Sequence, residues 1–250
     1  TNMLHIIYSA SDLDKPDVRP FYYSKLLCLK SLLVAVEKIN GFSFTLYYDG
    51  DKGNELIDEL QNMIPQSKIM RLSKAGNARS FWKAYVDALE LPQNDWVYFV
   101  EDDYLHTIDA LEKLVDCMNS IPDADYITLY DHPVRYATDY RFGLDISHRV
   151  NKIYISNKCH WRTQESTCMT FAAQVAVLRD DRAIFDKYVR QVPVPEDREL
   201  FRELQGLAGY ESGSPFRLLI GPMPSLATHC HLPWIAPIIN WEEVALKISQ

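Results

Sequence analysis

The run Trp96-Val97-Tyr98-Phe99-Val100-Glu101-Asp102-Asp103 decides how the rest of the chain is read. Consecutive aromatic and β-branched residues followed at once by three carboxylates predict a strand buried on both faces that ends at a polar edge. Upstream, Leu4–Ser9 reads as a buried strand, Tyr22–Ile39 as a helix ended by Asn40-Gly41, and Phe42–Tyr48 as a strand stopped by Asp49-Gly50-Asp51. Asn54–Met63 reads as a helix with Pro65 beyond it, Lys68–Leu72 as a strand, and Ala78–Leu89 as a helix with Pro92 beyond it. Downstream, Thr107 is the expected N-cap of a helix over Ile108–Met118, and Tyr126–Tyr130 is a further strand. This alternation predicts an α/β fold, a parallel sheet covered by helices on both faces. Such sheets bind ligands beyond the carboxyl ends of their strands, where the strand order reverses. The segments to watch are therefore Ser9–Asp12, Asp49–Asp51, Ser73–Arg79 and Glu101–Tyr104.

Past Tyr130 the pattern changes. Asp131–Val150 is polar, rich in Tyr and Arg, and irregular, the composition of an acceptor-side loop or lid. Lys152–Ser156, Thr167–Ala173 and Arg217–Ile220 read as strands. Asp180–Val189 and Glu196–Leu207 read as helices separated by Pro193 and Pro195, and a short amphipathic helix begins at Trp241. There is no linker rich in Gly, Ser or Pro, so 1–250 is expected to be a single domain with a nucleotide-type half, 1–130, and an acceptor-type half, 131–250.

Composition removes several classes. Of 250 residues 47% are hydrophobic and 24% charged, which is ordinary for a globular protein. With 26 Lys+Arg against 34 Asp+Glu the net charge is -8, so nucleic acid is not an expected partner. No apolar run nears the ~20 residues of a membrane span, and Thr1–Ala10 shows no signal peptide. A cytoplasmic protein, at most peripheral to a membrane, is expected. The five cysteines are widely spaced, which points to reduced thiols rather than a disulfide framework.

Glu101-Asp102-Asp103 places three like charges side by side. They repel unless a cation relieves them, and hard oxygen donors suit Mg²⁺ or Mn²⁺; a solvated loop capping the next helix is the simpler alternative. His229-Cys230-His231 offers imidazoles at i, i+2, on one face only if the segment is extended; packing or surface histidines are the alternative. Glu196-Asp197 opens a helix, where acids are favoured by the dipole, and capping is the default role. Lys74, Gly76, Asn77 and Arg79 lead into a helix and could hold a phosphate. Ser9, Ser11 and Asp12, and Asp49, could bind ribose or base, or serve turns. Trp161, Trp234, Trp241, Tyr136 and Tyr140 could face sugars, although each is more commonly a core residue. The chain lacks GxGxxG, GxxxxGK[ST] and GxSxG, which argues against Rossmann redox, P-loop and α/β-hydrolase chemistry.

Taken in order, Val97–Asp103, Glu196-Asp197 and Pro224-Ser225-Leu226-Ala227-Thr228-His229 resemble the GT-A-fold glycosyltransferases, which use nucleotide-sugar donors. The triplet resembles the EDD variant of their DxD motif. Glu196-Asp197 resembles the xED motif of inverting members, and the late His resembles the one that completes their metal site. The resemblance implies a GT-A-like (Rossmann-like) mixed, mainly parallel sheet flanked by helices. It further implies Mn²⁺ or Mg²⁺ on Asp103 and His229, with Glu101 and Asp102 nearer the nucleotide. Asn77 and Arg79 join Ser9, Asp12 and Asp49 on the donor side, and Asp197 is the base, with Glu196 beside it. The implied partners are a nucleotide-sugar donor, UDP-sugar first, and a glycan or other hydroxyl acceptor. A nucleotidyltransferase fits less well, because such enzymes open with a Gly-rich basic loop and Ser9–Asp12 is acidic without Gly. A non-catalytic carbohydrate-binding protein of the same fold is the third class, favoured if Asp103 and His229 fail to converge.

Overall fold

The computed structural model describes residues 2–136 and 151–250. The polar segment that the sequence marks as a lid, with Tyr140 in it, lies largely outside the described residues. Among the described residues, nine strands form one sheet: β1 (Leu4–Ser11), β2 (Phe42–Asp49), β3 (Lys68–Leu72), β4 (Trp96–Glu101), β6 (Tyr126–Ile127), β7 (Ile153–Ile155), β8 (His160–Thr163), β9 (Phe171–Gln174) and β10 (Leu219–Met223). Their spatial order is β3-β2-β1-β4-β9-β6-β10-β8-β7. β8 and β9 pair antiparallel with their neighbours, and the remaining strands share one direction. The sheet is mixed and mainly parallel. A separate two-stranded ribbon pairs β5 (Tyr104–His106) with β11 (Ala227–His229).

Strand periodicity divides the core. Ile6, Tyr8, Leu46, Tyr98 and Val100 pack on one face, under α1 (Lys25–Val36), α2 (Asn54–Met63), α4 (Ala110–Ser120) and α8 (Trp241–Ile248). Ile7, Tyr47, Val97 and Phe99 pack on the other, under α3 (Asn77–Ala88), α5 (Val175–Asp180), α6 (Arg182–Phe185) and α7 (Asp197–Leu204). Successive side chains of a strand point to opposite faces, so an unbroken apolar run such as Trp96–Val100 needs helices on both sides.

Several boundaries differ from the sequence expectation. The first helix starts at Lys25 instead of Tyr22, because Ser24 is extended and its hydroxyl accepts the Leu27 N–H at 3.0 Å. Thr107 does not cap α4; its Oγ1 donates to Asp109 at 2.8 Å, and Asp109 is the boundary residue. Asp180–Val189 is broken into the end of α5, the short α6 and a wider π-type turn, with buried Asp181 between them drawn to Arg217. Ser9 and Ser11 lie within β1, not beyond it. β5, β8 and β11 had no counterpart in the sequence reading. No described helix is long and apolar enough to cross a membrane.

Candidate active site

The strand order reverses at β1, whose neighbours are β2 and β4. The carboxyl ends of β1 and β4 thus form the crevice that parallel sheets use for ligands. β1 and β4 run in register from Leu4 opposite Trp96 to Ser9 opposite Glu101. This sets the acidic triplet beside the β1–α1 connection.

The β5–β11 ribbon brings the late His to the triplet. Tyr104 pairs with His229, and the Cys230 N–H donates to the Asp103 carbonyl at 2.8 Å. The Tyr104 and His229 rings stack at 5.2 Å and 2°. His229 Nε2 then lies 3.0 Å from Asp103 Oδ2, bridging 126 positions of sequence. Arg19 Nη1 donates to the same Oδ2 at 2.8 Å and to the Cys230 carbonyl at 2.8 Å. On Asp102, Oδ2 faces Lys25 Nζ at 2.8 Å and accepts the Ser11 N–H at 3.1 Å.

These neighbours separate the three carboxyls electrostatically. Burial pushes Asp103 up, but His229 and Arg19 overcome it and hold the carboxylate well below its ordinary range. Burial raises Asp102 to about 6 against the pull of Lys25. Glu101 is driven up, first by burial and then by the charges of Asp103, Asp197 and Asp102. Asp197, at the start of α7, is raised chiefly by burial; the Arg198 N–H, Cys168 and His229 act in the opposite sense. Its Oδ1 accepts the Arg198 N–H at 2.7 Å. The charges of Asp197 and Glu101 thus act on each other, and that of His229 acts on Asp197.

The other predicted residues are distributed more widely. Glu196 is exposed beside Asp197 and makes no side-chain cap. Asp12 closes the β2 turn: Oδ1 accepts from the Tyr48 hydroxyl at 2.7 Å and the Lys52 N–H at 3.0 Å, and Oδ2 from the Asp51 N–H at 2.9 Å. Gly50 is required there, since its φ is +139° and an added Cβ would fall 2.3 Å from the Asp12 carboxylate. Asp49 accepts the Ala75 and Gly76 N–H groups at 2.9 and 2.8 Å, holding the turn that leads into α3. Ser9 sits in β1 between Tyr47 and Glu101. Asn77 and Arg79 are exposed on the first turn of α3, and Arg79 lines a cavity of about 220 Å³ with Trp82, Lys83, Val86 and Arg190. Trp161 and Trp241 are core residues, while the partly buried Trp234 packs 4.9 Å from His132. All five cysteines are free thiols.

Arg19, Lys25 and Cys168 were not singled out by sequence, and Tyr104 entered only as the end of the segment Glu101–Tyr104. The available signal was the basic residues Lys15, Arg19 and Lys25 in the stretch after the first strand, a position of the same kind as the triplet's.

A divalent ion fits the chemistry of this donor set in part. Asp103 and His229 supply one hard carboxylate and one imidazole at a common point. No group of three or more His, Cys, Asp or Glu among the described residues could hold a metal. An ion here would complete its shell with water and phosphate oxygens, as Mg²⁺ and Mn²⁺ commonly do.

No family model and no curated protein matches the sequence. Among solved structures, the chain resembles 4-diphosphocytidyl-2C-methyl-D-erythritol synthase with a TM-score of 0.49 and 12% identity, covering 100% of this chain and 98% of that one. It resembles S. aureus TarS 1-349 in complex with UDP with a TM-score of 0.48 and 13% identity, covering 80% of this chain and 54% of that one. Against S. aureus TarS the TM-score is 0.43 at 12% identity, covering 72% of this chain and 29% of that one. The chain thus spans well under two thirds of the TarS chains. Likeness at this level assigns no chemistry, which rests on the residues themselves.

Proposed function

We propose that this protein is a GT-A-like glycosyltransferase that moves a sugar from a nucleotide-sugar donor to a hydroxyl acceptor with inversion. The observation that carries it is the meeting of Asp103 and His229 at 3.0 Å on the carboxyl edge of the sheet. Convergence of these two is what a metal-dependent donor site needs and what a non-catalytic descendant of the fold has no reason to keep. Asp103 and His229 would hold Mn²⁺ or Mg²⁺, which when bound would supply a Lewis acid to neutralise charge on the leaving diphosphate.

The chain's own groups divide the remaining work. Asp197 accepts the proton of the acceptor hydroxyl as that oxygen attacks the anomeric carbon. Its raised affinity for protons, from burial, makes it a stronger base than an ordinary carboxylate. Burial and the neighbouring carboxylates raise the proton affinity of Glu101, which lessens the negative charge it sets against the donor. Lys25 holds Asp102, which in turn fixes the end of β1 through the Ser11 N–H. Ser9, Asp12, Asp49, Asn77 and Arg79 are the donor-side candidates that the resemblance implies, UDP-sugar being the first donor to test.

Calorimetric titration with UDP and then GDP, each with and without Mn²⁺, tests the proposal. Metal-dependent nucleotide binding that disappears in Asp103→Asn is expected. Absence of binding to either nucleotide under every metal condition would sink the nucleotide-sugar assignment. Product stereochemistry by NMR decides inversion.

A further inference from the structure

Two cations, Arg19 before α1 and Lys25 at its start, hold Asp103 and Asp102, and they are held differently. Lys25 Nζ has three acceptors, Asp102 Oδ2 at 2.8 Å and the Ser11 and Leu13 carbonyls at 2.5 Å each. An ammonium has three N–H donors, so Lys25 is saturated. Arg19 has five donors, and its protein partners are taken by Nη1 and Nε only: Asp103 Oδ2 and the Cys230 carbonyl at 2.8 Å each, and Asp14 Oδ1 at 3.2 Å. Among the described residues no acceptor meets its Nη2. The guanidinium lies 4.6 Å from the Tyr23 ring centroid, which leaves it a face along which to slide. Arg19 directly follows a short 3-10 turn, Pro16–Val18, which is tied to the rest by the Leu232 N–H to the Val18 carbonyl at 2.7 Å.

Arg19 therefore rests on the very oxygen that faces His229. A guanidinium and a divalent ion cannot both sit within hydrogen-bond or coordination distance of one carboxylate oxygen without strong repulsion. A planar guanidinium with free N–H groups is also the side chain best shaped to grip a diphosphate.

We propose that Arg19 is a displaceable counter-ion: it holds Asp103 while the donor is absent, and the donor diphosphate draws it off, opening Asp103 Oδ2 to the metal. The inference rests on the proposed donor site and names Arg19 as its diphosphate-positioning residue. Metal and diphosphate then bind with positive coupling, and each strengthens the other equally.

Mn²⁺ alone, followed by electron paramagnetic resonance, and inorganic pyrophosphate alone, followed by calorimetry in EDTA, test this on the full chain. Arg19→Gln is expected to bind Mn²⁺ about 10-fold tighter and pyrophosphate about 10-fold weaker than the parent, the scale of one charge-assisted hydrogen bond. Arg19→Lys should stay within a few-fold of the parent for both, and Arg19→Met serves if the Gln variant does not fold. Opposite shifts for the two probes support the proposal, since a merely structural role would weaken both. Mn²⁺ affinity that is unchanged or reduced in Arg19→Gln overturns it; if Asp103→Asn still abolishes Mn²⁺ binding, the donor-site assignment survives that failure. No Mn²⁺ binding to parent or variant overturns the proposal together with the metal assignment.

Discussion

Asp103→Asn removes one charge from a partly buried cluster and keeps its shape. Arg19 Nη1 is 2.8 Å and His229 Nε2 3.0 Å from Asp103 Oδ2, and the Arg19 and Asp103 side chains are 11% and 14% exposed. At an effective dielectric of about 20, a full charge pair at this separation attracts by roughly 6 kcal/mol. Desolvation of both groups takes back most of that, so about 1.5–3 kcal/mol survives as net stabilisation. Asn retains one acceptor oxygen, and repulsion against Glu101 and Asp102 falls, which moves the expectation toward about 2 kcal/mol of lost stability. For a chain of this length that is a fall in Tm of roughly 4–8 °C. Urea denaturation and calorimetry of the parent, Asp103→Asn, Arg19→Gln and the double variant supply the assay. The double variant should lose less than the sum of the singles, with a coupling of about 1–2 kcal/mol. An unchanged Tm in Asp103→Asn, or strict additivity in the cycle, would refute the claim that Asp103 is held by Arg19.

Three further expectations follow from other parts of the molecule. In Asp197→Asn, sugar transfer should fall by about 10²–10⁴-fold while UDP–Mn²⁺ affinity stays at the parent value, and equal transfer rates would remove Asp197 from the base role. Burial holds the fully inaccessible His106 imidazole down at about 3, so it is neutral in the folded state, while the unfolded chain takes up a proton near 6.5. The unfolded state then binds more protons between those values, and stability falls as the pH drops through that window, by at most about 1.4 kcal/mol per pH unit; urea titrations from pH 7 to 4 should show this slope reduced by one proton in His106→Gln. Arg217 makes a forked pair with buried Asp181, at 3.0–3.1 Å, and Asp181 also accepts the Tyr126 hydroxyl at 2.6 Å. Arg217→Met strands that carboxylate and should cost about 3–5 kcal/mol, partly restored by adding Asp181→Leu, and a variant as stable as the parent would contradict the pair's importance.

Secondary structure was most legible where burial imposes a simple period. Asn54–Met63 and Lys68–Leu72 have the bounds read from their sequence, and Trp96–Val100 gains only Glu101. It was least legible where a long-range partner makes the element. Tyr104–His106 is three residues long and is a strand only because Ala227–His229 pairs with it. Likewise Asp181 interrupts a helix pattern because its carboxylate is pulled to Arg217, 36 positions away.

The site divides along the same line. Local chemistry marked Glu101-Asp102-Asp103 as an acidic edge, His229 as a ligand candidate and Asp197 as a helix-start acid. Asp12 and Asp49 were read as binding or turn residues, and in the folded chain their oxygens are engaged by the Tyr48 hydroxyl and by backbone N–H groups of the turns at 51–52 and 75–76. Arg19, inside Pro16-Asp17-Val18-Arg19-Pro20, reads locally as a solvated loop cation, and a loop cation is usually just that. What the sequence determined by itself is the α/β alternation and the residue types at the strand ends, because apolar period and turn chemistry act over a few neighbouring positions. Which carboxylate faces an imidazole, which one binds a proton more tightly and which cation rests on which oxygen were decided by tertiary structure alone. Coulomb and desolvation energies depend on distances and burial between segments up to 211 residues apart, and the Asp103–His229 approach exists only once β5 and β11 pair.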